Sequence, residues 1–98
     1  MLPSYERVIR AMNILDGPAS IQERLASAYR TELQYVGPDG LDEKMITTLE
    51  MLNDELTKIE AEGDKDTIDM STEMLSDGDA QDLVNRIRDI YQYLSKHH

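Results

Sequence analysis

The sequence predicts an all-α protein, a small antiparallel helical bundle of four main helices with a short fifth helix near residues 67–76. Apolar residues recur at intervals of three and four along the chain, which is the spacing of one face of an α-helix. No segment alternates apolar and polar residues over the length of a strand. At 98 residues, the chain is expected to form one acidic helical domain spanning 1–98.

The first two predicted helices cover residues 4–15 and 20–36. Ser4 is expected to cap the first helix, and an Asp-Gly-Pro sequence ends it. Ser20 and Glu23 have the spacing of a capping box at the start of the second helix. A Gly-Pro-Asp-Gly sequence, typical of a turn, is expected to end this second helix.

The third predicted helix is the longest and covers residues 41–62. Its apolar residues form a heptad seam of Met45, Leu49, Leu52, Leu56 and Ile59. Two acidic residues suit the positive N-terminal end of this helix, but the acidic residues near its C-terminal end do not suit the negative end. We therefore expect the C-terminal end to fray and Gly63 to terminate it.

The last two predicted helices cover residues 67–76 and 79–96. An Asp-Lys-Asp sequence precedes the short helix and can supply its cap. Asp79 is the expected N-cap of the final helix. The apolar face of the final helix consists of Ala80, Leu83, Ile87, Ile90 and Leu94.

The net charge of −10 is concentrated in the middle of the chain. Residues 39–82 carry fifteen acidic and three basic side chains, whereas residues 1–38 are balanced and residues 83–98 carry a net charge of +2. Affinity for nucleic acid comes mainly from Lys and Arg on phosphates, so we expect no direct nucleic-acid binding. The same acidic excess disfavours anionic membranes.

Motifs for catalysis, metals and cofactors are absent from the sequence. There is no cysteine, and the two histidines are the last two residues. The sequence therefore lacks the residues needed for catalysis by a histidine base or a cysteine nucleophile and for a Glu-x-x-His metal site. Calcium loops that would begin at Asp64 or Asp77 lack glycine at position six and a carboxylate at position twelve. We expect no enzyme activity, no metal and no cofactor.

The absence of catalytic, metal-binding and cofactor motifs and the uneven distribution of charge favour a non-catalytic protein-binding module, such as an adaptor, an inhibitor or a chaperone-like protein. An acidic surface facing a basic partner speeds association and excludes wrong partners. Tyr35 and Tyr93 lie off the main apolar stripes, and exposed tyrosines are common at interfaces. The predicted interaction surface combines these tyrosines with the carboxylates of Asp54, Glu55 and Glu62.

An alternative function is mimicry of nucleic acid, in which the carboxylates of the third helix occupy the DNA site of a DNA-binding protein. A helix of about 22 residues spans about 33 Å, and DNA carries about one charge per 1.7 Å of axis. The predicted helix carries seven carboxylates, so its charge is sparser than that of a duplex.

The sequence also carries expectations about location and assembly. It has no signal-peptide pattern at its N-terminus and no apolar run of the ~20 residues that cross a bilayer, so we expect a cytoplasmic protein. A thin core with few aromatic residues favours oligomerisation. We therefore expect a homodimer, with the seams of the third and last helices as its interface.

Overall fold

The computed structural model describes residues 3–59 and 66–97. Within these residues the secondary structure is helical, without strands, and the predicted all-α bundle is confirmed. The helices are α1 (Ser4–Leu15), α2 (Ile21–Thr31), α3 (Glu43–Thr57), α4 (Thr67–Glu73) and α5 (Asp77–His97).

The core lies between the apolar faces that the periodicity predicts. The predicted seam of α3 is buried from Met45 to Leu56, and its last member, Ile59, is half-buried beyond the end of the helix. The largest fully buried apolar side chains are Leu25, Leu33, Leu52, Leu56, Ile87, Ile90 and Val8. Because the seams of α3 and α5 are buried in the chain's own core, neither is available as a dimer interface.

The short helix α4 lies between α2 and α3. It packs on both, whereas α3 packs mainly on α4 and α5. Arg30 of α2 contacts α4 through Asp66 and Asp69, with nitrogen–oxygen distances of 3.0 and 2.8 Å. Short turns usually make sequential helices close neighbours, but α2 and α3 are not, because α4 takes the position between them.

Four predicted helix caps can be compared with the structure. The cap expected from the Asp-Lys-Asp sequence is confirmed, since the Asp66 carboxylate accepts a hydrogen bond from the Asp69 amide at 2.8 Å. The Ser20 hydroxyl accepts a hydrogen bond from the Glu23 amide at 3.2 Å, as the capping box requires. Ser4 is not a cap, since α1 begins at Ser4 and Pro3 precedes it. Asp79 is not a cap either, because its amide donates to the Ser76 hydroxyl at 3.0 Å. The Ser76 side chain therefore caps α5. The helix begins at Asp77, two residues earlier than predicted.

Three predicted helices end early. The short helix α4 ends at Glu73 and not at residue 76, and α2 and α3 end where side chains from other elements bind the chain. Glu32 leaves helical geometry, and its carboxylate accepts a hydrogen bond from Arg7 of α1 at 3.3 Å. The chain continues from Glu32 as a 3₁₀ turn, Leu33–Tyr35. In α3, the Ile59 amide donates to the Ser71 hydroxyl of α4 at 3.1 Å. The predicted continuation of this helix through residues 60–62, with Gly63 after it, lies outside the described residues.

The helices in the described part of the chain are too short or too polar to cross a lipid bilayer.

Candidate functional site

A groove runs along the outer side of the contact between α3 and α5. Residues spaced by three or four lie on one edge of a helix, so each helix contributes a stripe of side chains to the groove. The stripe on α3 consists of Lys44, Thr48, Met51 and Glu55. The stripe on α5 consists of Asp79, Asp82, Arg86, Asp89, Tyr93 and Lys96. We call this feature the α3–α5 groove.

The two helices run antiparallel along the groove, and this arrangement separates its charges. Lys44 at the start of α3 lies with Lys96 near the end of α5, whereas Glu55 near the end of α3 lies with Asp79 at the start of α5. The groove therefore has an acidic half and a basic half, and Arg86 lines both.

The acidic half is an open depression of about 250 Å³ with an apolar floor. Leu75 and Leu83 are buried beneath it, and the carboxylates of Glu55, Asp79 and Asp82 surround it. Carboxylates around an apolar floor can receive a side chain with an apolar stem and a cationic head. Arginine and lysine have that composition.

Met51 lies in the acidic half and is one of the exposed large apolar side chains, with 43% of its surface accessible. Its sulfur lies 3.9 Å from an Nη atom of Arg86, so the two sides of the groove meet at this point. Methionine is unbranched and adapts its shape to a partner, and it is frequent at surfaces that bind varied peptides.

Two carboxylates of the acidic half, those of Asp79 and Glu55, differ in their local surroundings. Asp79 lies in the first turn of α5, where the positive end of the helix dipole stabilises a carboxylate. Glu55 accepts a hydrogen bond from Lys58 at 2.9 Å, but both side chains are about half exposed. An exposed pair of this kind contributes little, so the Glu55 carboxylate remains available to a partner.

The basic half is larger, about 520 Å³, and also open. Lys44, Arg86 and Lys96 line it together with one carboxylate, Asp89. The ring of Tyr93 is half-buried in the wall of the groove and lies 4.3 Å, between centroids, from the ring of His97.

The structure separates the residues of the predicted interaction surface. Glu55 and Tyr93 line opposite halves of the groove, whereas Asp54 is exposed on the neighbouring face of α3. Burial, and secondarily the charge of Asp54, raises the pKa of Tyr29 of α2. The Tyr29 hydroxyl donates to the Asn53 side chain at 2.9 Å. Asp54 does not line the groove, and its neighbour Asn53 contacts α2.

Tyr35 is 61% exposed but lies at the corner between α1 and the 3₁₀ turn. The guanidinium of Arg7 lies 4.8 Å from the centre of its ring, a cation–π arrangement. One face of the ring is thus already in contact with the protein itself. The fifth predicted residue, Glu62, lies outside the described residues.

The row of carboxylates behind the nucleic-acid mimicry hypothesis is shorter in the structure than the sequence predicts. α3 has 15 residues, about 22 Å at 1.5 Å per residue. The carboxylate of its N-cap, Asp42, accepts a hydrogen bond from the Met45 amide at 2.9 Å. Glu60 and Glu62 lie outside the described residues, and mimicry stays a prediction.

The sequence analysis missed most residues of the groove. Met51, Leu75, Asp79, Asp82 and Arg86 line its acidic half, and none was a candidate site residue. A signal was present, since polar residues at 79, 82, 86, 89, 93 and 96 follow helical spacing beside the apolar face of α5. What the sequence lacked was the identity of the helix that lies against that edge.

Within residues 3–59 and 66–97, no group of three or more acidic or histidine side chains is arranged to hold a metal ion. Comparisons with protein-family models, with curated proteins and with solved structures find no match for this chain.

Proposed function

We propose that this protein is a non-catalytic binding module, an adaptor, inhibitor or chaperone-like protein, whose acidic half-groove receives a basic segment of a partner protein. The observation that carries the proposal is the apolar floor of Leu75 and Leu83 beneath the carboxylates of Glu55, Asp79 and Asp82.

The dimensions of the acidic half favour one or two side chains of the partner. A lysine or arginine can place its methylene stem on the apolar floor and its cationic head against the carboxylates. Hydrogen bonds between ionised groups are about twice as strong as those between neutral groups. Met51 offers an adaptable apolar contact beside this position.

The charge of the whole chain supports the same kind of partner. With a net charge of −10, the protein attracts basic proteins over a distance, and this raises the rate of association. The attraction falls with ionic strength, since the Debye length is about 8 Å at 0.15 M salt.

The test is affinity capture from native lysate with the immobilised protein, compared with two triple variants. The groove variant carries Glu55→Gln, Asp79→Asn and Asp82→Asn. The matched control removes the same number of charges at exposed residues outside the groove, with Glu6→Gln, Asp16→Asn and Glu23→Gln.

We expect the wild-type protein and the matched control to retain the same basic partner, and the groove variant to lose most of it. Loss of about 90% or more corresponds to a tenfold or greater weakening when the partner is at a concentration below its Kd. Equal loss with both variants would assign binding to overall charge, and equal retention would assign it to another surface. Either outcome contradicts the proposal.

A further inference from the structure

Three cations of the basic half-groove lie close together, although the chain has twice as many acidic as basic residues. Among the described residues, Arg7, Arg30 and Lys58 form ion pairs. Lys44, Arg86 and Lys96 form no ion pair with another described residue, and the same is true of three other arginines, Arg10, Arg24 and Arg88. What distinguishes Lys44, Arg86 and Lys96 is their position. These three cations lie together in one groove, with Asp89 as the lining carboxylate. Such a site favours an anionic occupant.

We propose that the occupant is a second copy of this chain. The surface that complements the basic half is the acidic half of the same groove, so two grooves placed face to face and antiparallel pair opposite charges along their length. Glu55, Asp79 and Asp82 of one copy then face the cations of the other. The interface is isologous, because both copies contribute the same residues.

Only one orientation of the two-fold axis places the acidic half of each copy against the basic half of the other. An axis along the groove would place basic half on basic half and acidic half on acidic half. An axis in the plane of the interface and perpendicular to the groove reverses the direction of the second copy and pairs unlike halves. Arg86 and Asp89, one helical turn apart near the middle of the α5 stripe, then lie close to the axis, opposite each other across the two copies.

The size of the groove predicts a weak dimer. From Asp79 to Lys96 the α5 stripe is about 26 Å long, and two adjacent helices are about 20 Å wide. The face therefore measures about 500 Å² per copy, or about 1,000 Å² in total, which is at the low end for a specific interface. We expect a dissociation constant in the micromolar range or weaker, with monomer and dimer in equilibrium.

Overall repulsion between two copies opposes this dimer but does not prevent it. Each copy has a net charge of −10, yet charges farther apart than about 8 Å are largely screened at 0.15 M salt. The groove charges meet at contact distance and are screened less. Salt weakens both the attraction and the repulsion, so a salt series alone does not identify the interface, whereas reversing chosen charges does.

This inference goes beyond the proposed function and does not rest on it. In the dimer the acidic half is covered by the second copy, so a basic partner has to compete with self-association. The dimer is measured on the purified chain alone, and the partner is detected by capture from lysate. Each proposal can therefore fail without the other.

The experiment is a charge swap followed by sedimentation equilibrium at about 10 to 500 µM, a range that brackets a micromolar Kd. One variant reverses the basic half with Lys44→Glu and Lys96→Glu, and the other reverses the acidic half with Asp79→Lys and Asp82→Lys. All four side chains are exposed, so both variants should fold, and circular dichroism confirms this before sedimentation.

We expect the wild-type chain to dimerise and each variant alone to dimerise at least about tenfold more weakly. An equimolar mixture of the two variants should form a heterodimer, because one groove is then mainly acidic, with Arg86 as its remaining cation, and the other is mainly basic, with Glu55 and Asp89 as its remaining carboxylates. Native mass spectrometry distinguishes that heterodimer from either homodimer.

Three results would overturn the proposal: a wild-type chain that stays monomeric at the highest concentration, variants that dimerise as the wild type does, or a mixture without heterodimer. A wild-type monomer whose basic half binds polyglutamate would assign the groove to a foreign acidic partner and would likewise overturn the dimer.

Discussion

Leu52 and Met51 are neighbours in sequence with opposite environments. Leu52 is fully buried in the heptad seam of α3, whereas Met51 is 43% exposed in the groove. Consecutive residues of a helix point about 100° apart, so one side chain can belong to the core and the next to a binding surface. The periodicity of the sequence places Leu52 in the core seam, but it does not show that Met51 lies in a groove.

Substituting Leu52→Ala should lower the free energy of unfolding by about 2–5 kcal/mol, because it leaves a cavity in the core. Met51→Ala serves as the matched control on the same helix and should change stability by less than about 1 kcal/mol. Urea denaturation followed by circular dichroism measures both. A harmless Leu52→Ala would mean that the α3 seam does not face the core.

Tyr29 links stability to pH. Burial, and secondarily the charge of Asp54, raises its pKa above the ordinary value of 10.0. Folding therefore favours the neutral phenol, and the stability that this contributes is complete below pH 10 and is lost as the pH rises through the higher folded-state pKa.

The substitution Tyr29→Phe should cost about 1 kcal/mol at neutral pH, because it removes the hydrogen bond to Asn53. Above pH 10 the wild-type protein should lose stability with rising pH more steeply than Tyr29→Phe does. Parallel urea titrations at neutral pH and across the alkaline range measure this. Curves that stay parallel through the alkaline range would contradict the raised pKa.

The predicted and observed helix ends show which boundaries the local sequence determines. α1 has the predicted range, because local signals, namely apolar spacing and a Gly-Pro break, determine it. The ends of α2 and α3 differ from prediction because contacts with other elements determine them. Arg7 binds Glu32, and Ser71 binds the amide of Ile59. The partners in these contacts lie 25 and 12 residues apart, so no local pattern indicates them.

The contact between Ser71 and Ile59 joins the end of α3 to α4. Ser71 is fully buried, so Ser71→Ala leaves the Ile59 amide without its acceptor. Stability should fall by about 0.5–1.5 kcal/mol, the usual net contribution of one hydrogen bond, because the Ile59 amide is only partly buried. Ser27→Ala in α2 is the matched control and should stay within about 0.5 kcal/mol of the wild-type value.

Hydrogen exchange of the Ile59 amide tests the cause directly. In the Ser71→Ala protein this amide should exchange faster by more than the overall loss of stability explains. An unchanged exchange rate relative to the core amides would mean that the hydrogen bond does not hold the end of α3.

At the scale of the whole molecule, the groove unites residues that the sequence keeps apart. The sequence predicts the acidic middle segment and the basic C-terminal segment. It does not predict that antiparallel packing of α3 and α5 brings Glu55 to Asp79 and Lys44 to Lys96. The interaction surface expected from the sequence consequently includes two residues of the groove, Glu55 and Tyr93, and misses Met51.

The most direct test of a binding role for the groove is photo-crosslinking in cells with p-benzoylphenylalanine at position 51. The same residue at position 13, which is exposed on α1 outside the groove, is the control. The account predicts an adduct with a basic protein at position 51 and not at position 13, besides a self-adduct of about twice the 11.2 kDa of the chain. Absence of a foreign protein at position 51, or equal adducts at both positions, would contradict it.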